Sequence, residues 1–303
     1  METAEFEASH AIWKRLPLHP LPEPFESMTS YLIRLAEANG LRSLRQMVAL
    51  LGIPRRRLEN VCISPDYPTS SHYGGLAQIT GYPEERFLPL TFHFLIQRFG
   101  YSLHPTALHR FLKSSLASSL RYCPACLATS DPPYYSLLWR FLVLPGCIEH
   151  RGYFLDQCGH CGSFLPLLPL TPQLAKCPRC QGDLRMCQQK SLSEEVLLST
   201  YRHTQDLKKL LSPVQSPLPE VRAKIVGKHC MALRQCQDLS ITELARLSGQ
   251  DLSVILAIEQ VDHFAKASLS DYIQYADALS LSLTEILDAD RLRAFLIPPS
   301  EEV

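Results

Sequence analysis

Four pairs of metal-type residues stand between residues 123 and 180: Cys123 with Cys126, Cys147 with His150, Cys158 with Cys161, and Cys177 with Cys180. Two residues separate the donors in every pair, the reach of a knuckle turn that aims both side chains at one cation. Eight donors fill two tetrahedral sites, so the chain is expected to carry two structural Zn2+ ions. A closed four-donor site leaves no coordination position for water or substrate. Such a stretch folds around its metal, with binding worth on the order of 10 kcal/mol per site in peptide models. Function is then expected on the surfaces that this scaffold positions.

The spacing Cys158-x2-Cys161-x15-Cys177-x2-Cys180 fits a four-cysteine ribbon, and Cys123-x2-Cys126-x20-Cys147-x2-His150 makes a three-cysteine, one-histidine site. Pro124 and Pro178 stiffen two knuckles, and Gly159 and Gly162 are expected to permit the tight turn of a third. A cross-braced arrangement, with pairs alternating between metals, stays open at this stage, as does disulfide pairing. His160 lies inside a knuckle and is left out of the ligand set. The chain has eleven cysteines, and Cys62, Cys187, Cys230 and Cys236 remain, expected as buried thiols. Thiolate ligands survive best in a reducing compartment, which places the protein in a prokaryotic cytoplasm.

Lys plus Arg and Asp plus Glu each number 30, for a net charge of zero, so no global field draws the chain toward nucleic acid. The N-terminus is acidic and lacks an apolar segment of the signal-peptide kind. No run approaches the roughly 18 to 20 apolar residues of a membrane span.

The expected fold is mainly α with small zinc-ribbon modules of short β structure. Four regions are read along the chain: helices with a helix-turn-helix over 1–120, tandem zinc modules over 121–187, a helix and Pro-rich linker over 188–221, and an all-α helix-turn-helix domain over 222–303. Ser27 is read as the N-cap of a helix with Met28, Tyr31, Leu32, Leu35 and Ala38 on its inner face, closed by Asn39 and Gly40. A second helix starts near Ser43 and stops before Gly52, and a third begins at Pro54. Arg42, Arg45, Arg55, Arg56 and Arg57 crowd the outside of this unit as a nucleic-acid or partner contact, or simply as a solvated basic edge. Further helices are expected at 74–80, 84–99 and 105–119. Trp139, Phe141 and Val143 alternate like a strand. Residues 191–211 read as an amphipathic helix with Leu197, Leu198, Tyr201, Leu207, Leu210 and Leu211.

In the C-terminal region Ser240 and Glu243 form a capping box. Leu244, Ala245 and Leu247 supply the inner face of that helix, Gly249 its turn, and Asp251 the cap of the next, whose Ile255 and Ile258 point inward. Residues 223–287 resemble the lambda-repressor-like helix-turn-helix domain. Recognition helices present Arg, Lys, Asn or Gln to base edges; here the outward positions are Leu252, Ser253, Val254, Leu256 and Ala257. Eight Lys and Arg stand against twelve Asp and Glu over 222–303, a formal charge of −4. Phosphate contacts dominate duplex affinity, so Leu252, Val254 and Leu256 are read as a protein docking surface.

From Pro17 to Leu184 the chain resembles the TniQ family, which includes the related TnsD proteins. The resemblance rests on ordered segments: PLPEPFESMTSYLIRLAEANGL (20–41), SLRQMVALLGIP, GGLAQITGYPEERFLPLTF (74–92), RYCPACL, LLWRFLVLPGCIEHRGYFLDQCGHCG and KCPRC. It implies a non-enzymatic target-selection factor of a Tn7-like transposon. Such factors link a target to an AAA+ ATPase of the TnsC type, which admits the transposase. Longer members read DNA directly; shorter ones associate with an RNA-guided CRISPR complex, and the nonbasic tail favours that adaptor role. No membrane partner is implied, and a homodimer stays open. A zinc-containing helix-turn-helix transcription regulator is the alternative. There is no phosphate-binding loop or acid cluster for an enzyme.

Overall fold

The computed structural model describes residues 15–52, 64–68, 72–99, 105–213, 223–260 and 267–288. Among them the architecture is mainly helical with one two-stranded sheet. The chain packs as two units: residues up to Phe92 with Ala117–Leu197, and His93–Leu116 with residues from Leu198 onward.

In the first unit, helix α1 (Met28–Ala38) begins where expected, with Ser27 Oγ accepting from Ser30 N at 3.1 Å. It is buried from Met28 to Ala36, on all sides rather than along one stripe. Ala38, read as inner, is exposed. Every polar group so enclosed has a partner, as buried polar groups require. Ser30 Oγ donates to Glu26 Oε1 at 2.9 Å, Thr29 Oγ1 to Asp66 Oδ1 at 2.8 Å, and the Arg34 guanidinium to both Glu26 oxygens at 2.8 and 2.6 Å. Asn39 closes the helix and also clamps the Pro-rich lead-in, donating to Leu18 O at 2.6 Å and accepting from Leu18 N at 3.0 Å. Helix α2 (Leu44–Leu50) follows, with Gln46 Oε1 accepting from Arg42 N and Ser43 N at 2.8 and 3.3 Å. The third helix expected from Pro54 lies outside the described residues, as does Cys62. Helix α3 (Tyr73–Thr80) stops at Gly81, whose φ of 79° is left-handed.

The expected helix over 84–99 is two pieces: a 3-10 turn, Glu84–Leu90, then helix α4 (His93–Arg98). Pro89 cannot donate to an α-helical ladder, which accounts for the break. The strand read at Trp139, Phe141 and Val143 is instead a 3-10 turn, Leu137–Arg140, with all four residues buried. Leu137 to Arg140 are covered on every side, while Leu142 within the alternating stretch is 51% exposed. Arg140 reaches inward to form a close ion pair with Asp66.

Helix α6 (Pro124–Thr129) and a short antiparallel hairpin, β1 (Gly146–Cys147) and β2 (Gly152–Tyr153), carry the metal-type residues. One hydrophobic core runs from Met28, Tyr31 and Leu35 through Tyr135 and Trp139 to Cys158, Cys177 and Leu184. Hydrogen bonds lace it together: Ser27 N donates to Tyr135 O at 3.0 Å, and Ala175 N to the Tyr135 hydroxyl Oη at 3.1 Å. The cysteine-rich stretch is therefore continuous with the helical core.

In the second unit, helix α5 is Pro105–Lys113, shorter than the expected 105–119. The Phe99 and Phe111 rings meet the Tyr272 ring at 5.0 and 6.3 Å. Helix α7 (Glu194–Leu211) buries Leu207, Leu210 and Leu211, but Leu198 and Tyr201, expected inside, are 73% and 53% exposed. Arg98 closes its C-terminus, donating to Lys209 O, Leu210 O and Ser212 O at 3.1, 3.2 and 3.3 Å. Helices α8 (Ala223–Gln235), α9 (Ile241–Ser248), α10 (Leu252–Glu259), α11 (Leu269–Ala278) and α12 (Leu283–Ile286) pack together. Leu244, Ile255 and Ile258 are buried as expected, and Leu269, Tyr272, Ile273, Ala276, Leu279, Leu283 and Ile286 are buried with them. The Ser240–Glu243 capping box forms, and Gly249 takes φ 67°. Asp251 sits at the next N-cap without a side-chain cap bond. Beneath these helices Arg234 donates to Glu259 at 2.7 and 2.8 Å, and Tyr275 Oη donates to the same carboxylate at 2.8 Å.

Candidate metal centres and contact surfaces

The eight metal-type residues fall into two groups, Cys123, Cys126, Cys147 and His150 in one and Cys158, Cys161, Cys177 and Cys180 in the other. Within each group the donor atoms all lie within 4.8 Å of one another. The grouping is sequential along the chain, not cross-braced. No disulfide joins the described cysteines.

Local structure explains how each donor is aimed. Cys123 is the N-cap of α6, with Pro124 at the first helical position, and its Sγ accepts from Cys126 N at 3.5 Å. A proline there loses no bond, since that N–H would be unpaired anyway. Cys147 lies on β1 and His150 in the turn before β2, where Arg151 takes φ 51°. The hairpin is too tight for a side chain at Gly146, where a Cβ would stand 2.3 Å from Gly152 O.

The second group uses two knuckles of matching form. Gly162 N donates to Cys158 O at 2.8 Å in one, and Gln181 N to Cys177 O at 2.9 Å in the other. Sulfurs accept from the following turn, Cys158 from His160 N and Cys180 from Gly182 N, both at 3.4 Å. Gly162 has φ 69°, the left-handed conformation expected of it, while Gln181 adopts φ 61° without being glycine. Gly159 has another reason: a Cβ there would lie 2.9 Å from Cys187 Sγ. His160 points away from the donors, its Nε2 bonded to Asp183 O at 2.8 Å.

A tetrahedral zinc with Zn–S near 2.3 Å and Zn–N near 2.0 Å needs sulfurs about 3.8 Å apart and sulfur to nitrogen about 3.6 Å. In the first group Cys126 and Cys147 sulfurs are 3.5 Å apart, and His150 Nδ1 lies 3.6, 3.2 and 3.6 Å from Cys123, Cys126 and Cys147. In the second the Cys158–Cys180 and Cys161–Cys177 separations are 3.7 and 3.8 Å. Soft thiolates with one imidazole suit zinc, and each group can hold one ion with no open position. Without a cation the three crowded thiols of the first group cannot all ionise. Cys123 is held down to about 3 by S–H donation from Cys126 and Cys147, and Cys126 is pushed far up by the same contact with Cys123.

Of the basic edge, Arg42 and Arg45 are exposed, while Arg55, Arg56 and Arg57 lie outside the described residues. Of the docking residues, Leu252 is 44% exposed, and Val254 and Leu256 are half-buried. Ala257, read as outward, is buried at 7%. Leu247, read as inner, is 54% exposed, so apolar residues stand out on both sides of the Gly249 turn. Leu247 lies about 60° round the helix from Leu244, and the buried stripe of the eight-residue α9 does not extend that far. Among the other cysteines Cys187 and Cys230 are buried, and Cys236 is exposed, against expectation. No helix among the described residues is long and apolar enough to cross a membrane.

No curated protein matches the chain. Residues 17–153 match the TniQ family model. The match takes in α1 and α2, the Asp66–Arg140 pair and all four donors of the first group, and it ends before Cys158, short of the Leu184 that the resemblance reaches. The chain thus carries a TniQ domain over residues 17–153, a domain that implies association with Tn7-like transposition.

Proposed function

We propose that the protein is a non-catalytic target-selection adaptor of a Tn7-like element. It joins a targeting complex, or the DNA site itself, to an AAA+ ATPase of the TnsC type, and so directs transposase insertion. The observation that carries this reading is the TniQ match over residues 17–153, enclosing a four-donor group with no coordination position left for chemistry. Two structural zinc ions hold the scaffold, in a cytoplasm reducing enough to keep their thiolates. The C-terminal helices serve as a lambda-repressor-like module turned from base reading to protein docking: Leu252 is exposed where a reader would carry a cation. A nonbasic module of this kind favours docking on an RNA-guided complex over direct site reading.

Helix, glycine turn and helix at Gly249 also suit a zinc-containing transcription regulator, the reading to beat. Affinity purification of the tagged full chain, co-expressed with the products of its neighbouring genes, separates the two. Co-purification of the ATPase supports the adaptor, with guide RNA present if targeting is RNA-guided. Tight binding to random duplex that weakens steeply with salt, with no protein partner, favours the regulator.

A further inference from the structure

The two donor groups differ in their access to solvent. In the first, Cys123 is 0% and Cys147 6% exposed, and neither Cys126 nor His150 is open. The strip 189–192 closes over it: Gln189 Oε1 lies 3.5 Å from Cys123 Sγ, Tyr153 N donates to Lys190 O at 2.8 Å, and Leu192 N donates to Arg151 O at 2.7 Å. Little room is left beneath that strip, since a Cβ on Gly152 would stand 1.8 Å from Gln189 Nε2. In the second group Cys158 and Cys177 are 1% and 0% exposed, but Cys161 and Cys180 both face solvent. One ligand from each knuckle is therefore open, and their sulfurs lie within 4.8 Å. Two outward thiolates at that range need only a small closure to reach disulfide bonding distance, about 2.05 Å.

We infer that the Cys158, Cys161, Cys177 and Cys180 group is a redox-labile metal site, and that the Cys161–Cys180 pair is where peroxide-class oxidants act. The inference rests on the zinc reading above. One open sulfur attacks a peroxide oxygen; the O–O bond breaks, hydroxide leaves, and a sulfenic acid forms. The other open sulfur displaces the second hydroxide and closes the disulfide. Two thiolates lose two electrons in all, hydrogen peroxide gains them, and two protons from solvent complete two waters. The zinc, left with two sulfurs, departs. The buried group keeps its ion, so oxidation loosens the distal ribbon while the TniQ-matched part stays folded.

The test uses the full chain as purified under reducing conditions, its zinc counted first by plasma emission spectrometry. Hydrogen peroxide is then added with a chromophoric zinc chelator present, and samples are quenched by alkylation for peptide mapping. Two zinc ions per chain are expected. The first should leave at least about tenfold faster than the second, in step with a Cys161–Cys180 disulfide and with Cys123, Cys126 and Cys147 still alkylatable. Both ions leaving at one rate, or first oxidation at Cys123, Cys126 or Cys147, overturns the inference alone. Fewer than two ions in fresh protein overturns the zinc reading and the inference with it.

Discussion

Replacing Arg34 with methionine keeps the aliphatic stem and removes the charge. Arg34 is 6% and Glu26 0% exposed, so neither end of this pair has water to fall back on. The substitution deletes two bonds to Glu26 at 2.8 and 2.6 Å and one to Leu21 O at 2.7 Å. Glu26 keeps Ser30 Oγ at 2.9 Å and Glu23 N at 3.0 Å, but no cation within bonding reach. Removing one partner of a buried pair costs about 3–5 kcal/mol. Desolvation already holds the Glu26 carboxyl above its ordinary value, outweighing the Arg34 contact, and losing Arg34 raises it further. A carboxyl raised in the folded state binds its proton more tightly there than in the unfolded chain, whose value is about 4.3. The deficit of Arg34→Met is then largest near neutral pH and narrows as pH falls, by at most ~1.4 kcal/mol per pH unit for one proton. Urea unfolding of the full chain in zinc-containing buffer reads this out through Trp139, which is 7% exposed, in a Trp13→Phe background. Glu26→Gln added to Arg34→Met should recover part of the loss by removing the stranded charge. A deficit below about 1 kcal/mol at pH 7, or one that stays flat between pH 5 and 7, refutes the reasoning.

Chelation at neutral pH should collapse the first unit, because both donor groups border its core: Trp139 emission should shift to the red, and unchanged emission after complete metal removal would count against structural zinc. Reversing Arg42 and Arg45 to Glu should lower transposition severalfold with zinc content unchanged; full insertion would leave that edge merely solvated. Leu252→Asp should weaken partner capture at least about tenfold with little change in thermal stability, since the residue is 44% exposed; intact capture with every neighbouring gene product would remove the docking surface. Burial holds the His203 imidazole below its ordinary value, only partly offset by Asp277. A histidine kept neutral by folding costs stability as acid charges it in the unfolded chain first, so thermal midpoints should climb from pH 5 to about 6.5. His203→Gln should flatten that climb; an equal slope would assign it elsewhere.

Much of this was legible because it is local. Knuckle spacing names the eight donors, since two intervening residues fix both side chains on one point, and the Ser240–Glu243 box needs only three residues to close. The grouping of donors was not legible, because either pairing satisfies the same spacings. Neither were the buried charge pairs: Asp66 and Arg140 are 74 positions apart, and a lone arginine in an aromatic run reads as a solvent-facing residue. The alternation of Trp139, Phe141 and Val143 reads as a strand, but the 3-10 turn over Leu137–Arg140 buries four consecutive residues, which no local pattern announces. Leu198 and Tyr201 show the converse limit. Periodicity marks the face a helix can bury, and only the packed partner decides which part of it is used.

Phe99 and Phe111, which close on Tyr272, come from a stretch more than a hundred positions upstream of the C-terminal helices. A cut at the Pro-rich stretch after Ser212 looks like the natural way to harvest those helices alone. It would leave their aromatic lid behind on the other fragment, along with α7, whose Asp206 accepts from Leu283 N at 3.1 Å. Negative results from such a truncation would speak of a damaged fragment, so dissection of this protein is better done by point changes in the intact chain.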